Sequence, residues 1–238
     1  MNSKILSGSD KVARRKKIIK RSKIALLLIM LLLLILYVVL GIIYNTGNFT
    51  ITLDRNLYFK RGLIIYDNPE YKVFRTELYA SSLEYFDNIS YKWLPTDLAE
   101  QSNGGSHNGN NYLAYTFYVE NQGELLSDYW SEIIIDDVIK NVDEAIRVRV
   151  YKNGKEVTYA KMGKNGKPEL GTTAFVSDTI IGRDHVENFK PGDINKYTIV
   201  VWLEGSDPDC TDNLLGGEIK MHMQFISEII EEKEKKKK

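Results

Sequence analysis

The chain divides by its hydrophobic pattern into one unbroken apolar run and a longer segment in which apolar and polar residues alternate. The apolar run, Ile24 to Tyr44, has 21 residues and no charge. At about 1.5 Å of rise per residue it would span roughly 31 Å as a helix, which matches the hydrocarbon core of a bilayer. The sequence therefore predicts a transmembrane helix over 24–44, whose partner is the lipid bilayer.

Alternation with a period of two begins after this run and is typical of half-buried strands. The stretch "IKMHMQF" shows it most clearly, because one face carries Ile219, Met221, Met223 and Phe225. Three more strands are predicted, over 112–119, 146–151 and 197–203. The last of these is apolar on both faces, so we expect it to lie in the centre of its sheet.

Turn and helix signals complete the predicted fold. Asn153-Gly154 lies between two alternating runs and predicts a tight hairpin, and Pro191-Gly192 predicts a second turn. After the apolar run, helical periodicity is clearest over 136–146, where we expect a short helix capped by Asp136. The sequence thus predicts a mostly β fold over 45–238, an antiparallel β-sandwich (jelly roll or Greek key) of roughly eight to ten strands. A charged tail at 228–238 ends the chain.

Charge is distributed unevenly although the formal net charge is zero. Residues 1–23 hold nine Lys or Arg and a single acid, so the rest of the chain is acidic. The positive-inside rule then places 1–23 in the cytoplasm and 45–238 outside the cell. The exit from the helix, "GIIYNTGNF", lacks the small residues of a cleavage site and favours an uncleaved anchor, with secretion after cleavage as the alternative. No nucleic-acid partner is expected, because the net positive charge is confined to 1–23 and the part after the helix is net acidic.

The segment "WLEGSDPDCTDNLLGGEIKMHMQF", residues 202–225, raises the question of a metal site. With Asp207 as position one, Asp209 and Glu218 fall at positions three and twelve of an EF-hand loop. Asp212 stands where that loop requires glycine, and the flanks are predicted strands. The candidate calcium site is therefore a different oxygen-rich one, which uses two or three of the carboxylates Asp207, Asp209, Asp212 and Glu218. The alternative is a structural crossover between strands, in which Cys210 packs as a small apolar residue and the adjacent carboxylates Asp209 and Asp212 raise its pKa. Otherwise no cofactor is expected.

Catalytic motifs are missing from the sequence. It has neither the H-E-x-x-H pattern of zinc peptidases nor a G-x-S-x-G nucleophile motif. The three histidines, His107, His185 and His222, are each predicted to be surface residues. We therefore expect no catalytic residues.

The last strands carry a resemblance to a known family. "KPGDINKYTIVVWLEGSDPDCTDNLLGGEIKMHMQF", with "GNFTITL" and "YTFYVENQGE" earlier, resembles the TasA and camelysin-like exported proteins of Gram-positive bacteria. The resemblance implies an exported jelly-roll domain in a family whose members build extracellular matrix fibres, some relatives being described as metallopeptidases. Relatives usually carry a cleavable signal, whereas "GIIYNTGNF" lacks its small residues, which favours a surface-tethered protein.

These observations predict a non-enzymatic, membrane-anchored cell-surface protein with a structural or assembly role in surface or biofilm-matrix fibres. Its partners would be like or related β-sandwich subunits, joined by strand addition at an exposed sheet edge. The stretch "NFTITLDRNLYF" is a candidate strand, either donated to a neighbour or kept in its own sheet. Two alternatives remain: a surface metallopeptidase of camelysin type, and an accessory subunit for export or anchoring of fibre proteins.

Overall fold

The structure is a computed structural model that describes residues 3–45, 49–81, 83, 87–101 and 103–227. The predicted charged tail at 228–238 lies outside the described residues. The chain forms two compact units, Met1–Thr46 and Gly47–Lys238. Every residue of the principal hydrophobic core lies between Phe49 and Phe225. The second unit therefore carries its own core, as an independently folding domain requires.

The first unit is a single helix, α1 (Ser3–Asn45). Within it, Val12–Gly41 is long and apolar enough to span a membrane, as a membrane anchor or a signal sequence would be. The predicted apolar helix is thus confirmed, although α1 begins well before residue 24. The basic segment continues the helix because it contains no proline and is rich in Lys and Arg, which are good helix formers.

The described part of the second unit contains twelve strands in two sheets. They are β1 (Phe49–Leu53), β2 (Leu63–Tyr66), β3 (Glu77–Tyr79), β4 (Gly105–Ser106), β5 (Tyr112–Asn121), β6 (Ser127–Ile139), β7 (Ile146–Lys152), β8 (Lys155–Ala160), β9 (Thr173–Ala174), β10 (Ile180–Phe189), β11 (Ile194–Leu203) and β12 (Glu218–Ile226). Sheet A has the order β10-β6-β12-β1-β3, and sheet B the order β2-β5-β11-β7-β8-β9, with β4 also paired to β5. The predicted mostly β, sandwich-like fold is confirmed.

The two sheets meet through the alternating faces that the sequence shows. Met221, Met223 and Phe225 of β12 are buried between the sheets. Phe225 packs edge-on against the rings of Phe117 and Tyr197, with centroids 5.8 and 5.4 Å apart. Such aromatic contacts add to the stability gained by burial alone.

Strand β11 is central in sheet B, as its apolar character on both faces predicts. It pairs with β5 on one side and β7 on the other. Its inward residues Ile199 and Val201 join the principal core, while Val200 and Trp202 face outward. The outward pair is covered by a second cluster that includes Ile89, Leu94 and Leu98. Both faces of the strand are therefore buried.

Both predicted turns are confirmed. Asn153 and Gly154 join β7 to β8 with φ of 52° and 81°, the left-handed conformation that a two-residue type I′ hairpin requires at both positions. Pro191 and Gly192 lie between β10 and β11, and Gly192 has φ 83°.

The helix predicted over 136–146 is wrong. Residues 136–139 are the end of β6, where Ile139 pairs with Glu218 of β12, and 142–144 form a single 3₁₀ turn. Val142 and Ala145 are buried as the periodicity suggests, but strand pairing overrides the helical pattern before them. The described residues form twelve strands instead of the expected eight to ten. Two of the strand pairs, β1–β12 and β8–β9, are parallel, whereas the sequence predicts an antiparallel sandwich.

The two flanks of the sandwich differ. On the closed flank, an isolated bridge between Ile65 of β2 and Arg75 links sheet B to the segment before β3. On the open flank, β10 of sheet A lies beside β8 of sheet B without a ladder between them. There a Cβ added to Gly182 would lie 2.7 Å from the ring of Tyr159, so any other residue would force this ring to move.

Candidate functional site

The acidic crossover, residues 204–217 between β11 and β12, is held to the domain by buried carboxylates. Glu204 accepts hydrogen bonds from the indole of Trp202 and the backbone N–H of Tyr91, both at 2.9 Å, and from the Ser206 hydroxyl at 2.5 Å. Burial acts to raise the pKa of Glu204, but these donors outweigh it and hold the pKa below its usual value. The carboxylate is therefore a structural anchor that needs to be ionised.

A second anchor is the ion pair between Asp207 and Arg147 of β7. Both side chains are almost fully buried, with 1% and 5% exposed. Arg147 also donates to the carbonyl of Ile146 at 3.2 Å, and Asp207 accepts the backbone N–H of Asp209 at 2.7 Å. This pair fixes the turn at Asp207-Pro208 to β7, an inner strand of sheet B, and removing one partner would leave a buried charge unpaired.

The third contact ties the crossover to the loop that follows β8. Lys164 forms an ion pair with Asp209 and lies 3.8 Å from Glu144. The ammonium of Lys164 is largely exposed, so this contact contributes much less to stability than the buried pair does.

The four predicted calcium ligands do not converge in the structure. Asp207 and Asp209 are engaged by Arg147 and Lys164, Asp212 opens an exposed 3₁₀ turn, and Glu218 begins β12. Across the described ranges, no group of three or more His, Cys, Asp or Glu side chains is placed to hold a metal ion. Calcium binding therefore stays a prediction from the sequence, without a preformed ligand cluster to support it.

Cys210 is a free, half-buried thiol. Burial raises its pKa, and the carboxylates of Asp207 and Glu204 raise it further. The sequence also predicts a raised pKa for Cys210 but attributes it to Asp209 and Asp212, whereas in the structure the largest cause is burial of the thiol. A thiol with a raised pKa is a poor nucleophile at neutral pH, so the crossover lacks the setting of a cysteine active site.

The histidines occupy three different environments. His185 stacks on Trp130 with ring centroids 4.0 Å apart, and His222 contacts Asp136 at 2.8 Å on the outer face of sheet A. Asp136 thus binds a histidine rather than capping a helix. His107 is not the surface residue expected from its loop: it is half-buried, bonds Thr116 at 2.9 Å, and burial lowers its pKa.

Sheet edges are the remaining candidate site for binding another chain. The predicted N-terminal strand is kept in its own sheet, because β1 pairs with β12 on one side and β3 on the other. The outer strands of sheet A are β10 and β3. In sheet B, β9 is the outer strand on one side, and β2 and β4, which both pair with β5, are the outer strands on the other. Strand β10 is the longest of these, with ten residues and two register irregularities. It borders the open flank.

Sequence reasoning misses both strands that build this edge. Strands β6 and β10 pair along most of their length, yet their sequences mix charged residues with apolar ones. The charges belong to pairs on the outer face, such as Arg183 with Glu132 at 2.5 Å. Arg147 is also missed, although an arginine within the otherwise apolar "IRVRVY" is a signal that a buried partner is required.

No family model and no curated protein sequence matches the chain. Solved structures with some likeness include a β-glucosidase from Kluyveromyces marxianus, at 12% identity and a TM-score of 0.24, covering 50% of this chain and 11% of the enzyme. The same enzyme in complex with glucose has a TM-score of 0.25 at 12% identity, and the match covers 70% of this chain and 15% of the enzyme. A GH31 α-xylosidase from Xanthomonas citri has a TM-score of 0.22 at 12% identity, and the match covers 69% of this chain and 16% of the enzyme. The chain spans 11–16% of the length of these enzymes, and the likeness is too remote to indicate a shared activity.

Proposed function

We propose that this protein is a membrane-anchored cell-surface protein whose extracellular jelly-roll domain assembles with like or related subunits through β-strand contacts. The observation that carries the proposal is the pairing of an apolar helix, Val12–Gly41, with a separate β domain that has a long edge strand. The basic residues before the helix support a cytoplasmic N-terminus and an outward-facing β domain.

Strand β10 is the edge that suits such a contact best. An edge strand presents backbone N–H and C=O groups that can pair with another chain. Its irregularities near Ile181 and between Val186 and Phe189 limit indiscriminate pairing, as bulges on natural edges do. Exposed charges on Asp184 and Glu187 add the same protection, so the expected contact is selective.

Cysteine cross-linking in intact cells tests the contact. In the full chain carrying Cys210→Ser, the substitution Glu187→Cys places a thiol on the exposed side of β10, whose glutamate side chain is 68% exposed. We expect oxidation to give cross-linked dimers. The matched control is Lys167→Cys, which lies in an exposed loop away from the sheet edges. Cross-linking equal to that of the control would contradict assembly through β10.

The N-terminus of the mature protein tests the anchor. Retention of residues 1–46, with the β domain digested by protease added to whole cells, is the expected result. A mature chain that begins near Gly47 would replace the anchored protein with a secreted one.

A further inference from the structure

A cavity of about 360 Å³ lies on the open flank, between β10 of sheet A and the β7–β8 hairpin of sheet B. Its inner end is formed by Ile133, Val150 and Met223, and its outer wall by Val157 and Tyr159. Cavities of this size with a predominantly apolar lining and a few polar groups are the usual sites of small-molecule ligands. An apolar cavity of about 150 Å³ already admits benzene, so this one has room for a longer tail.

The inner end of the cavity offers no charge to a ligand. The hydroxyl of Tyr197, which also lines it, is hydrogen-bonded to the hydroxyl of Tyr129 at 3.1 Å. Ser131 lines the cavity as well, and its side chain is hydrogen-bonded to Tyr197, so both hydroxyls are satisfied within the protein. The rest of this end is made by Ile133, Val150 and Met223. An apolar chain fits this end without leaving any polar group unpaired.

The rim of the cavity is charged and positive. Lys152 of β7 reaches across to Asp184 of β10 at 2.6 Å, and Arg183 turns outward to Glu132 at 2.5 Å. Lys155 also lines the cavity, and no ion pair joins it to a carboxylate of the described residues. One cation at the mouth is thus uncompensated.

The entrance can open at low energetic cost. The Lys152–Asp184 pair is the contact that spans the two sheets at the rim, and its side chains are 31% and 50% exposed. Ion pairs at this exposure are weak. Beside them, β10 departs from regular pairing between Ile180 and Gly182, and bulges of this kind frequently lie next to binding sites.

We infer that this cavity binds a single-chain anionic amphiphile, with the apolar tail against Ile133 and Met223 and the anionic head at Lys155 and Lys152. The shared chemistry could be supplied by a free fatty acid or by a lysophospholipid. The inference does not rest on strand addition at β10, because its evidence is the space between the sheets and the rim charges, although Gly182, Arg183 and Asp184 of β10 border the same cavity.

Methionine NMR on residues 47–238, which carry their own core, tests the inference directly. Laurate is titrated into protein labelled at the methionine methyl groups. We expect the Met223 resonance to shift, because its side chain lines the cavity, while Met162, which lies in an exposed loop outside the cavity, serves as the internal control. Equal shifts of both resonances, or no shift of Met223, would overturn the inference.

Matched variants separate the tail site from the head site. Val157→Trp fills the outer wall and is expected to abolish the Met223 shift, whereas Val176→Trp, at a residue that is also exposed but outside the cavity, leaves it unchanged. Lys155→Glu is expected to weaken laurate binding about tenfold, because it replaces an attraction by a repulsion at a partly screened rim. Lys167→Glu makes the same charge change elsewhere and is expected to have no effect. Equal effects within either pair would refute the assignment.

The last experiment compares ligands of opposite charge. Dodecyltrimethylammonium has a similar tail and the opposite charge, and it is expected to bind much more weakly than laurate. Lysophosphatidylglycerol with the same acyl chain identifies the source of the ligand, since the tighter of the two anions marks the head group that the rim accepts. Binding of the cation as tightly as the anions would show that the rim does not select charge and would overturn the proposed ligand class.

Discussion

Breaking the ion pair between Arg147 and Asp207 is expected to destabilise the β domain more than any exposed charge change. The substitution Arg147→Met keeps the length of the side chain and removes its charge. Asp207, whose side chain is 1% exposed, would keep only the backbone N–H of Asp209 as a donor. Removing one partner of a buried pair costs about 3–5 kcal/mol, whereas whole domains have only about 5–15 kcal/mol of stability. A large fraction of the stability would therefore be lost.

The measurement is urea unfolding of residues 47–238, followed by tryptophan fluorescence and extrapolated linearly to water. Arg149→Met is the matched control on the same strand, because Arg149 is more exposed and its carboxylate partner Glu156 lies 3.8 Å away. We expect this control to cost about 1–2 kcal/mol, because it removes hydrogen bonds to the hydroxyls of Thr158 and Tyr151 but leaves no buried charge unpaired. The combination of Arg147→Met with Asp207→Asn should cost clearly less than the sum of the two single changes, since it leaves no unpaired charge. If Arg147→Met costs no more than Arg149→Met, the crossover is not anchored by this pair.

Three further predictions concern pH, backbone conformation and metal. The pKa of Glu204 is lowered in the folded state from the ordinary value of 4.5, so the stability that its carboxylate contributes is present above that pH and is lost as pH falls through the folded pKa. The urea midpoints of the wild type and of Glu204→Gln should therefore converge in acid. A constant difference between the two midpoints at every pH would contradict this. Gly154→Ala should lower the free energy of unfolding by about 1 kcal/mol in the same assay, because alanine is strained at a φ of 81°. The space around the position is open, so a steric clash would not contribute. An unchanged urea midpoint would count against the type I′ turn. Chelation by EDTA should leave Tm unchanged, since Asp207 and Asp209 are already engaged by cations, and a rise in Tm with added calcium would instead establish the site.

Much of the fold is predictable because the elements concerned are defined by local pattern. The alternation in β12, the two-faced apolarity of β11 and the Asn153-Gly154 turn each require only neighbouring residues to be recognised. The apolar helix is equally local. Strand β6 is harder, because its last residues carry a helical periodicity that pairing with β12 overrides.

The arrangement of the crossover is unpredictable for a different reason. Its carboxylates suggest a metal site when they are read in order, yet their partners come from distant parts of the chain. Arg147 lies 60 residues before Asp207, and Lys164 lies 45 residues before Asp209. Such pairs depend on the order of strands in the sheets, which residue spacing within one segment does not encode.

The parallel pairing of β1 with β12 has a mechanical consequence. Five residues of each strand are paired, from Phe49 with Met221 to Leu53 with Phe225, so the start of β1 and the end of β12 lie at opposite ends of the pair. A pull between these two points slides the strands along each other, and their backbone hydrogen bonds bear the load together instead of opening one by one. Forced unfolding is governed by the height of this barrier. The first strand after the apolar helix is thus the clamp that resists tension on the domain.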